Sequence, residues 1–406
     1  MDVVVTLEHR FLRTPDGTVW TQAQYLYPFW SPYLSVFDQV RPVARVLDVP
    51  RVPAAWQRAD GPGVSFVAVP YYIGPWQYLR CKRRVWQTSQ AAVRPADAVI
   101  LRGGAPIADA VERLLYQSRR PFGLEVLGDP YEGLAPGAVQ LPFRSFFRWW
   151  FTRELQRHCR HACAAAYVTR RTLQERYPCA GRAVACSDVV IPESAFVAAP
   201  RPPWPGATAF TVIMVGSLEQ LYKAPHILID AVAKCVRDGL DLQLVMIGDG
   251  KHRLELKFRA DDLGIGPRVQ FLGQLTAGAP VRDQLDQADL FVLPSFTEGL
   301  PRAMVEAMAR GLPCLGSTAG GIPELLPPED LVPPGNHTAL AAKIREVLTD
   351  PDRLARMSAR NLAAAREYDE KILREQRIDF YRYVREQTQA WLEGRNGQAG
   401  SHYHRA

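Results

Sequence analysis

The chain has no run of the ~18 consecutive apolar residues that a membrane-spanning helix requires, and its opening "MDVVVTLEHRFLRTP" meets charge too early for a secretory signal. Cysteine is sparse: seven residues, odd in number and scattered over 406 positions. That excludes a disulfide scaffold and fits a reducing cytosol, so a cytoplasmic chain is expected, peripheral at most to the inner face of a membrane. Lysine is scarcer still for a basic protein, standing only at Lys82, Lys223, Lys234, Lys251, Lys257, Lys343 and Lys371. The net charge of +7 is therefore carried mostly by arginine, a balance that suits an anionic ligand or an anionic lipid surface. Nucleic acid has only this charge in its favour, since no recognition motif supports it. The dinucleotide fingerprint G-x-G-x-x-G is missing too: "GSLEQL" (216–221) lacks it, and "GDGKHR" (248–253) has only its first two glycines. With no P-loop either, hydride transfer and P-loop nucleotide hydrolysis lose their support. Metal ligation fares no better. "HCRHAC" (158–163) could draw on Cys179 or Cys186, but its spacing matches no zinc pattern and reads as a helix face with packed thiols. The one D-x-D, Asp350-Pro351-Asp352, reads as a helix-capping turn.

At this length and 47% hydrophobic content, two domains can each bury a core. The proline-rich break "AAPRPPWPG" (198–206) suits neither helix nor central strand and reads as a linker. After it, short β-branched strands alternate with amphipathic helices: "FTVIMVGSL", "APHILIDAVAKCVRDG", "LQLVMIGDG", "KHRLELKFRADDLG", "RVQFLG", "VRDQLDQA", "LFVLP". Such alternation argues a parallel sheet covered on both faces. The first half repeats the theme less tidily in "VVVTLEHRF", "VARVLDV", "VSFVAVP", "ADAVILRGG", "RPFGLEVLGD" and "AAYVTRRTLQERYP", with "SDVVIPES" read as a last strand. The expected architecture is α/β, two doubly wound Rossmann-like domains facing across a cleft. Residues 1–197 are expected to form the first domain, 198–206 a linker and 207–370 the second domain. A closing helix, 371–406, packs back on the first.

Ligands in doubly wound sheets bind beyond the carboxyl ends of the strands. Those ends here carry Gly216-Ser217-Leu218, Lys223, Gly248-Asp249-Gly250, Gly273, Glu298-Gly299-Leu300-Pro301, Glu306 and Gly320-Gly321. Glycines let a ligand approach the backbone closely, and a helix opening after Pro301 points amides and the positive end of its dipole at an anion. A lysine opposite would neutralise a diphosphate. Two carboxylates accept from vicinal hydroxyls. Hydroxyls on both sides of a diphosphate describe a nucleotide sugar.

The same residues resemble a known family. "EGLPRAMVE" (298–306) is similar to the E-x7-E motif of retaining glycosyltransferases of the GT-B fold, the family 4 or group 1 type. "VGSLEQLYKAPHILIDAV" and the blocks from "LVMIGDG" to "GGIPEL" resemble the carboxy-terminal domain of that family, over roughly 208–335. The resemblance implies that Glu306 binds ribose hydroxyls and Glu298 faces the donor sugar beside Gly299, Leu300 and Pro301. Lys223 would bind the diphosphate near Gly216, and the backbone around Leu275 the base. It also implies metal-independent chemistry without a cofactor, a UDP-sugar in preference to a GDP-sugar, and a small-molecule or lipid-linked glycan as acceptor. Three departures stand out. Ser217 occupies the place of the family's arginine, for which Arg302 is the candidate replacement. "RTPDGTVW" (13–20) replaces a glycine-rich loop, placing Gly17 near phosphates or acceptor. Asp129 stands where the family has a histidine and would take its hydrogen-bonding role. On the acceptor side, "LPFRSFFRWWFTRELQRHCR" (141–160) alternates arginine with aromatics, as segments on anionic membranes do. Two other readings are a nucleotide-sugar epimerase of the same architecture and a non-catalytic nucleotide-sugar-binding protein.

Overall fold

The structure, a computed structural model, describes residues 1–22, 25–134, 143–203, 206 and 208–403, with side chains given to 395. The chain forms two compact units. The first comprises Met1–Gly128, Trp150–Cys186 and the closing segment from Arg374; the second comprises Asp129–Trp149 and Ser187–Leu373. Residues 129–149 thus group with the second unit, although in sequence they precede the proline-rich break.

The first unit is built on strands β1 (Val3–Arg13), β2 (Val19–Thr21), β3 (Val40–Asp48), β4 (Gln57–Arg58), β5 (Val67–Val69), β6 (Ala98–Arg102), β7 (Gly123–Val126), β8 (Ala164–Tyr167) and β9 (Arg182–Ala185). The parallel sheet runs β5-β3-β1-β6-β7-β8-β9. Alternation along β1 explains its place at the centre. Val4 packs with Val43, Val99, Leu101 and Leu124 on one face, and Val3 and Val5 with Val40, Ala44, Ala98 and Ile100 on the other. The second face is closed by Phe380, Tyr381 and Val384 of the last helix, Glu370–Tyr403. Tyr381 and Tyr33 both donate to Oε1 of buried Glu125, at 2.8 and 2.9 Å, and Arg102 pairs with its other oxygen. A buried carboxylate held from three sides in this way is a strong anchor for that helix.

β1 does not end where its core does. It pairs with β6 only as far as Thr6, the register shifts before Arg10, and Leu12 and Arg13 then pair antiparallel with β2. The "RTPDGTVW" stretch is therefore the turn of a hairpin and not a strand-to-helix loop. Asp16 fixes it by accepting from the Thr14 and Thr18 hydroxyls at 2.5 and 2.9 Å, and Gly17 supplies the φ of +85° that the turn requires.

The second unit holds β10 (Ala209–Val215), β11 (Asp241–Ile247), β12 (Val269–Gly273), β13 (Leu290–Leu293), β14 (Cys314–Ser317) and β15 (Leu331–Val332), all parallel, in the order β12-β11-β10-β13-β14-β15. Val212, Ile213, Leu244, Phe291 and Val292 are buried in its core because helices cover both faces. "SDVVIPES" forms no sheet strand; it makes a single bridge, Ile191 to Asp369. Pro192, which follows directly and lacks an N–H, helps to stop it there.

Candidate functional site

The strand order of the second unit reverses between β10 and β13: from β10 the chain winds outward to β11 and β12, then returns to β13 and winds the other way. Such a switch point opens a crevice beyond the strand ends, because the two following loops leave in opposite directions. The loop after β10 carries Gly216 to Lys223, and the loop after β13 carries Ser295 to Pro301. They are tied together by the Phe296 amide, which donates to the Tyr222 carbonyl at 2.7 Å. Across this tie Lys223 Nζ donates to Glu298 Oε1 at 2.7 Å, with only 14% and 9% of the two side chains exposed. Ser295 Oγ donates to the same oxygen at 3.0 Å, and its carbonyl accepts from Ser317 Oγ on β14 at 2.6 Å. Lys223 also lies 5.3 Å above the Tyr222 ring. Ser295 was not singled out from sequence, though its place three residues before Glu298 is the available signal.

The glycines are needed here chiefly by the protein's own packing. A Cβ at Gly216 would stand 2.4 Å from Cδ of Lys223, so the glycine makes the channel in which the lysine lies. One at Gly248 would meet the Gly216 carbonyl oxygen at 1.9 Å, and one at Gly250 the Glu219 amide at 2.1 Å. The turns after β10 and β11 thus touch backbone to backbone, joined by Leu218 donating to the Asp249 carbonyl. At Gly320 a Cβ would meet the Glu298 carbonyl oxygen at 1.7 Å, and Gly321 donates to the Gly299 carbonyl at 2.8 Å. The loop after β14 therefore fixes the backbone of the glutamate.

Gly299, Leu300 and Pro301 lead from Glu298 into the helix Arg302–Ala309, with Pro301 at its N-cap. Pro301 has no N–H, so the amides available at this helix start begin with Arg302 and Ala303; those of Met304 and Val305 already turn to the Pro301 carbonyl. Glu306 lies one turn on, half-buried. Burial pushes its carboxyl above the usual range, while Arg302 and Arg282 pull it back. Arg302 is exposed, 4.0 Å from Glu306, and donates to the Asp188 carbonyl at 3.2 Å. Ser217 is exposed and its hydroxyl accepts from the Glu219 amide. Leu275 is half-buried against the core in the loop after β12.

Lys223 therefore lies against Gly216 and pairs with Glu298, with Ser217 adjoining in sequence and Gly299 to Glu306 continuing from the glutamate. Two residues stand elsewhere. Asp129 caps a one-turn helix, Pro130–Gly133, accepting from the Tyr131 and Glu132 amides. Gly17 belongs to the first unit, where its hairpin lines an open depression of about 590 Å³ with Arg13, Asp48 and Val49. Asp350 of the D-x-D caps the helix Pro351–Ala365 by accepting from the Arg353 amide at 2.9 Å. Of the "HCRHAC" segment, buried His158 faces Asp109 at 3.0 Å and not a thiol, and the Arg157 guanidinium already pairs with Glu112 and Glu154 beside it.

Residues 205–363 match the family model described as "Glycosyl transferases group 1". Over that segment the chain is similar to the group 1 glycosyltransferases. The matched segment holds both glutamates, Lys223 and the switch point between β10 and β13. The chain is 24% identical to Protein CapJ of Staphylococcus aureus over 361 residues, covering 84% of this chain and 88% of that one. It is 32% identical over 166 residues to the putative colanic acid biosynthesis glycosyltransferase WcaL of Escherichia coli, spanning 38% of this chain and 40% of that relative's length. Among solved structures it superposes on sucrose-phosphate synthase of Thermosynechococcus elongatus (TM-score 0.65, 16% identity, 95% and 99% of the two chains). It also superposes on Anabaena Alr3699/HepE in complex with UDP-glucose (TM-score 0.61, 20% identity, 93% and 98%). The fold is GT-B, and the donor class of the family is a nucleotide sugar. Among the described residues no helix is long and apolar enough to cross a membrane.

Proposed function

We propose that the protein transfers a hexosyl group from a UDP-sugar to an acceptor hydroxyl with retention at the anomeric carbon. The observation that carries this reading is the Lys223–Glu298 pair at the switch point, with the helix Arg302–Ala309 opening beside it. In it Lys223 leaves Glu298 for the diphosphate, the helix amides of Arg302 and Ala303 add to the neutralisation, and Glu298, released, accepts from hydroxyls of the donor sugar. Glu306 accepts from the ribose, and the backbone at Leu275 faces the base. Developing charge on the leaving diphosphate is met by fixed donors and not by a mobile cation, the arrangement that costs least reorganisation at the moment of reaction. No metal or cofactor enters this scheme. Arg302, engaged with the Asp188 carbonyl, supplies the second positive charge that Ser217 does not. Asp129 would take the hydrogen-bonding role of the family's histidine beside the donor sugar, and the hairpin at Gly17 would lie near the phosphates or the acceptor.

UDP is preferred over GDP because the HepE structure of the same fold holds UDP-glucose. A corynebacterial relative, 34% identical over 146 residues, is named as GDP-mannose-dependent, so the base needs direct measurement. Relatives named for colanic acid and amylovoran biosynthesis favour a glycan acceptor. The test is 1H and 31P NMR of the purified protein with UDP-glucose, UDP-galactose and GDP-mannose, with and without a glycan acceptor and without added metal. The reading expects UDP released in step with a new α-linked product. Donor consumed equally without acceptor, giving an epimeric nucleotide sugar, would replace transfer by epimerisation. Binding without turnover of any donor would leave a nucleotide-sugar-binding protein.

A further inference from the structure

The helix Gly74–Ala91 of the first unit takes no part in that scheme, and its surface is unusual for a helix of a water-soluble sheet domain. It packs inward through Val85 and Ser89, with Tyr78 and Cys81 half-buried beside them. Three to four residues make one turn, so Trp76, Leu79, Arg80 and Arg83 form one stripe on the opposite face. Trp76 is 77% exposed and Leu79 58%, with Ile73, 53% exposed, just before the helix. Behind these follow Arg80, Lys82, Arg83 and Arg84, all exposed, and the helix contains no acidic residue. The flanking arginines in sequence, Arg58 and Arg94, pair with Asp60 and Asp2. Among the described residues none of the four cations on this helix has an ion-pair partner. The helix Arg144–His161, whose aromatics suggested a membrane surface from sequence, is different: Arg148 donates to the Tyr131 carbonyl and stacks on its ring, and Arg157 pairs with Glu112 and Glu154.

We propose that the outer face of Gly74–Ala91 docks the enzyme on an anionic lipid bilayer, with Ile73, Trp76 and Leu79 seated at the headgroup boundary and Arg80, Lys82, Arg83 and Arg84 on the lipid phosphates. The order of chemistry fits that occupant. A tryptophan, a leucine and an isoleucine at one end supply an interfacial foothold, and uncompensated cations at the other add electrostatic attraction. Each basic residue near such a surface raises partitioning roughly fivefold. An acidic protein or a nucleic acid would use the cations but leave the apolar end exposed. The proposal does not depend on which sugar is transferred.

The test is co-sedimentation of the full chain with vesicles of phosphatidylcholine alone or with about one third phosphatidylglycerol, at low and high salt. Two variants, Trp76→Ala/Leu79→Ala and Arg80→Gln/Arg83→Gln/Arg84→Gln, alter only exposed side chains, and their melting temperatures should match the wild type. The wild type should pellet with the anionic vesicles and not the neutral ones, and each variant should lose at least ~tenfold of the partition coefficient. A wild type that stays in the supernatant would overturn the proposal, as would variants that bind like it. So would loss in the arginine variant alone, with equal loss of binding to a short DNA duplex, since that marks a surface for soluble polyanions. A Phe146→Ser/Trp149→Ser variant completes the set: if it abolishes binding while both helix variants retain it, the contact belongs to Arg144–His161 instead.

Discussion

Replacing Glu298 by Gln should weaken the protein and tighten its grip on UDP at the same time. In the ligand-free state Glu298 Oε1 accepts from both Lys223 Nζ and Ser295 Oγ, in a pocket where the two charged side chains are about nine-tenths buried. Glutamine keeps an oxygen for these donors but removes the charge that balances the ammonium. Leaving a mostly buried lysine without its counter-charge costs ~2 kcal/mol. For the roughly 200 residues of the second unit this lowers the melting temperature by about 4–8 °C. The same change lifts a competitor for Lys223 and a like charge facing the diphosphate. The difference between a charge-assisted and a neutral hydrogen bond, ~1 kcal/mol, then passes to the ligand, and UDP should bind about fivefold more tightly. Turnover should fall by on the order of a hundredfold or more, because the carboxylate is absent when the sugar departs. Scanning calorimetry with and without UDP reads both effects: a lower starting temperature and a larger UDP-induced rise than the wild type shows. A variant that melts with the wild type and shows an equal or smaller rise would refute the assignment of Lys223 to the diphosphate.

Three further outcomes follow from the geometry. Gly216→Ala puts a methyl 2.4 Å from the lysine chain, and because that chain is flexible the fold should survive with less than ~1 kcal/mol lost while UDP affinity, measured by titration calorimetry, falls toward that of Lys223→Ala. Gly320→Ala directs its methyl onto the Glu298 backbone at 1.7 Å from a φ of +54°, where nothing can swing aside; it should lose ~2–4 kcal/mol by urea unfolding. Protonation of Glu306 removes an acceptor for ribose, and its carboxyl is held above the usual range by burial. Nucleotide affinity should therefore decline on acidification before an ordinary carboxylate would titrate, present above that raised pKa and lost below it; in Glu306→Gln that acid limb should vanish.

The second unit was legible in the sequence because its strands are short, apolar and mostly buried, and alternate with amphipathic helices. β10 and β11 begin earlier than their apolar runs suggest, at Ala209 and Asp241, since their first residues lie at the exposed end of the sheet. The first unit was harder to read. "VVVTLEHRF" continues to Arg13 because β3 stays paired with it throughout while its other edge passes from β6 to β2, and no pattern within one strand announces that exchange. The site was half legible. Spacing located the two glutamates, the lysine and the glycines, but not that Gly216 and Gly320 serve the protein's own lysine and glutamate before any ligand. Nor did it show that Lys223 and Glu298 hold each other; that follows from the strand order, which sequence does not state. Asp129 and Ser217 were singled out as occupants of family positions, and the structure gives each a local backbone role, a helix cap and a turn.

The central claim is that the second unit binds a nucleotide sugar through Lys223, Glu298 and Glu306. It is tested most directly by the melting temperatures of wild type and Glu306→Ala in a panel of UDP-, GDP-, ADP- and TDP-sugars without metal, since a ligand of the folded state stabilises it by mass action. The account predicts a rise with the UDP-sugars that is lost in the variant. Cooperative melting with no rise for any nucleotide sugar, or an equal rise in Glu306→Ala, would contradict it.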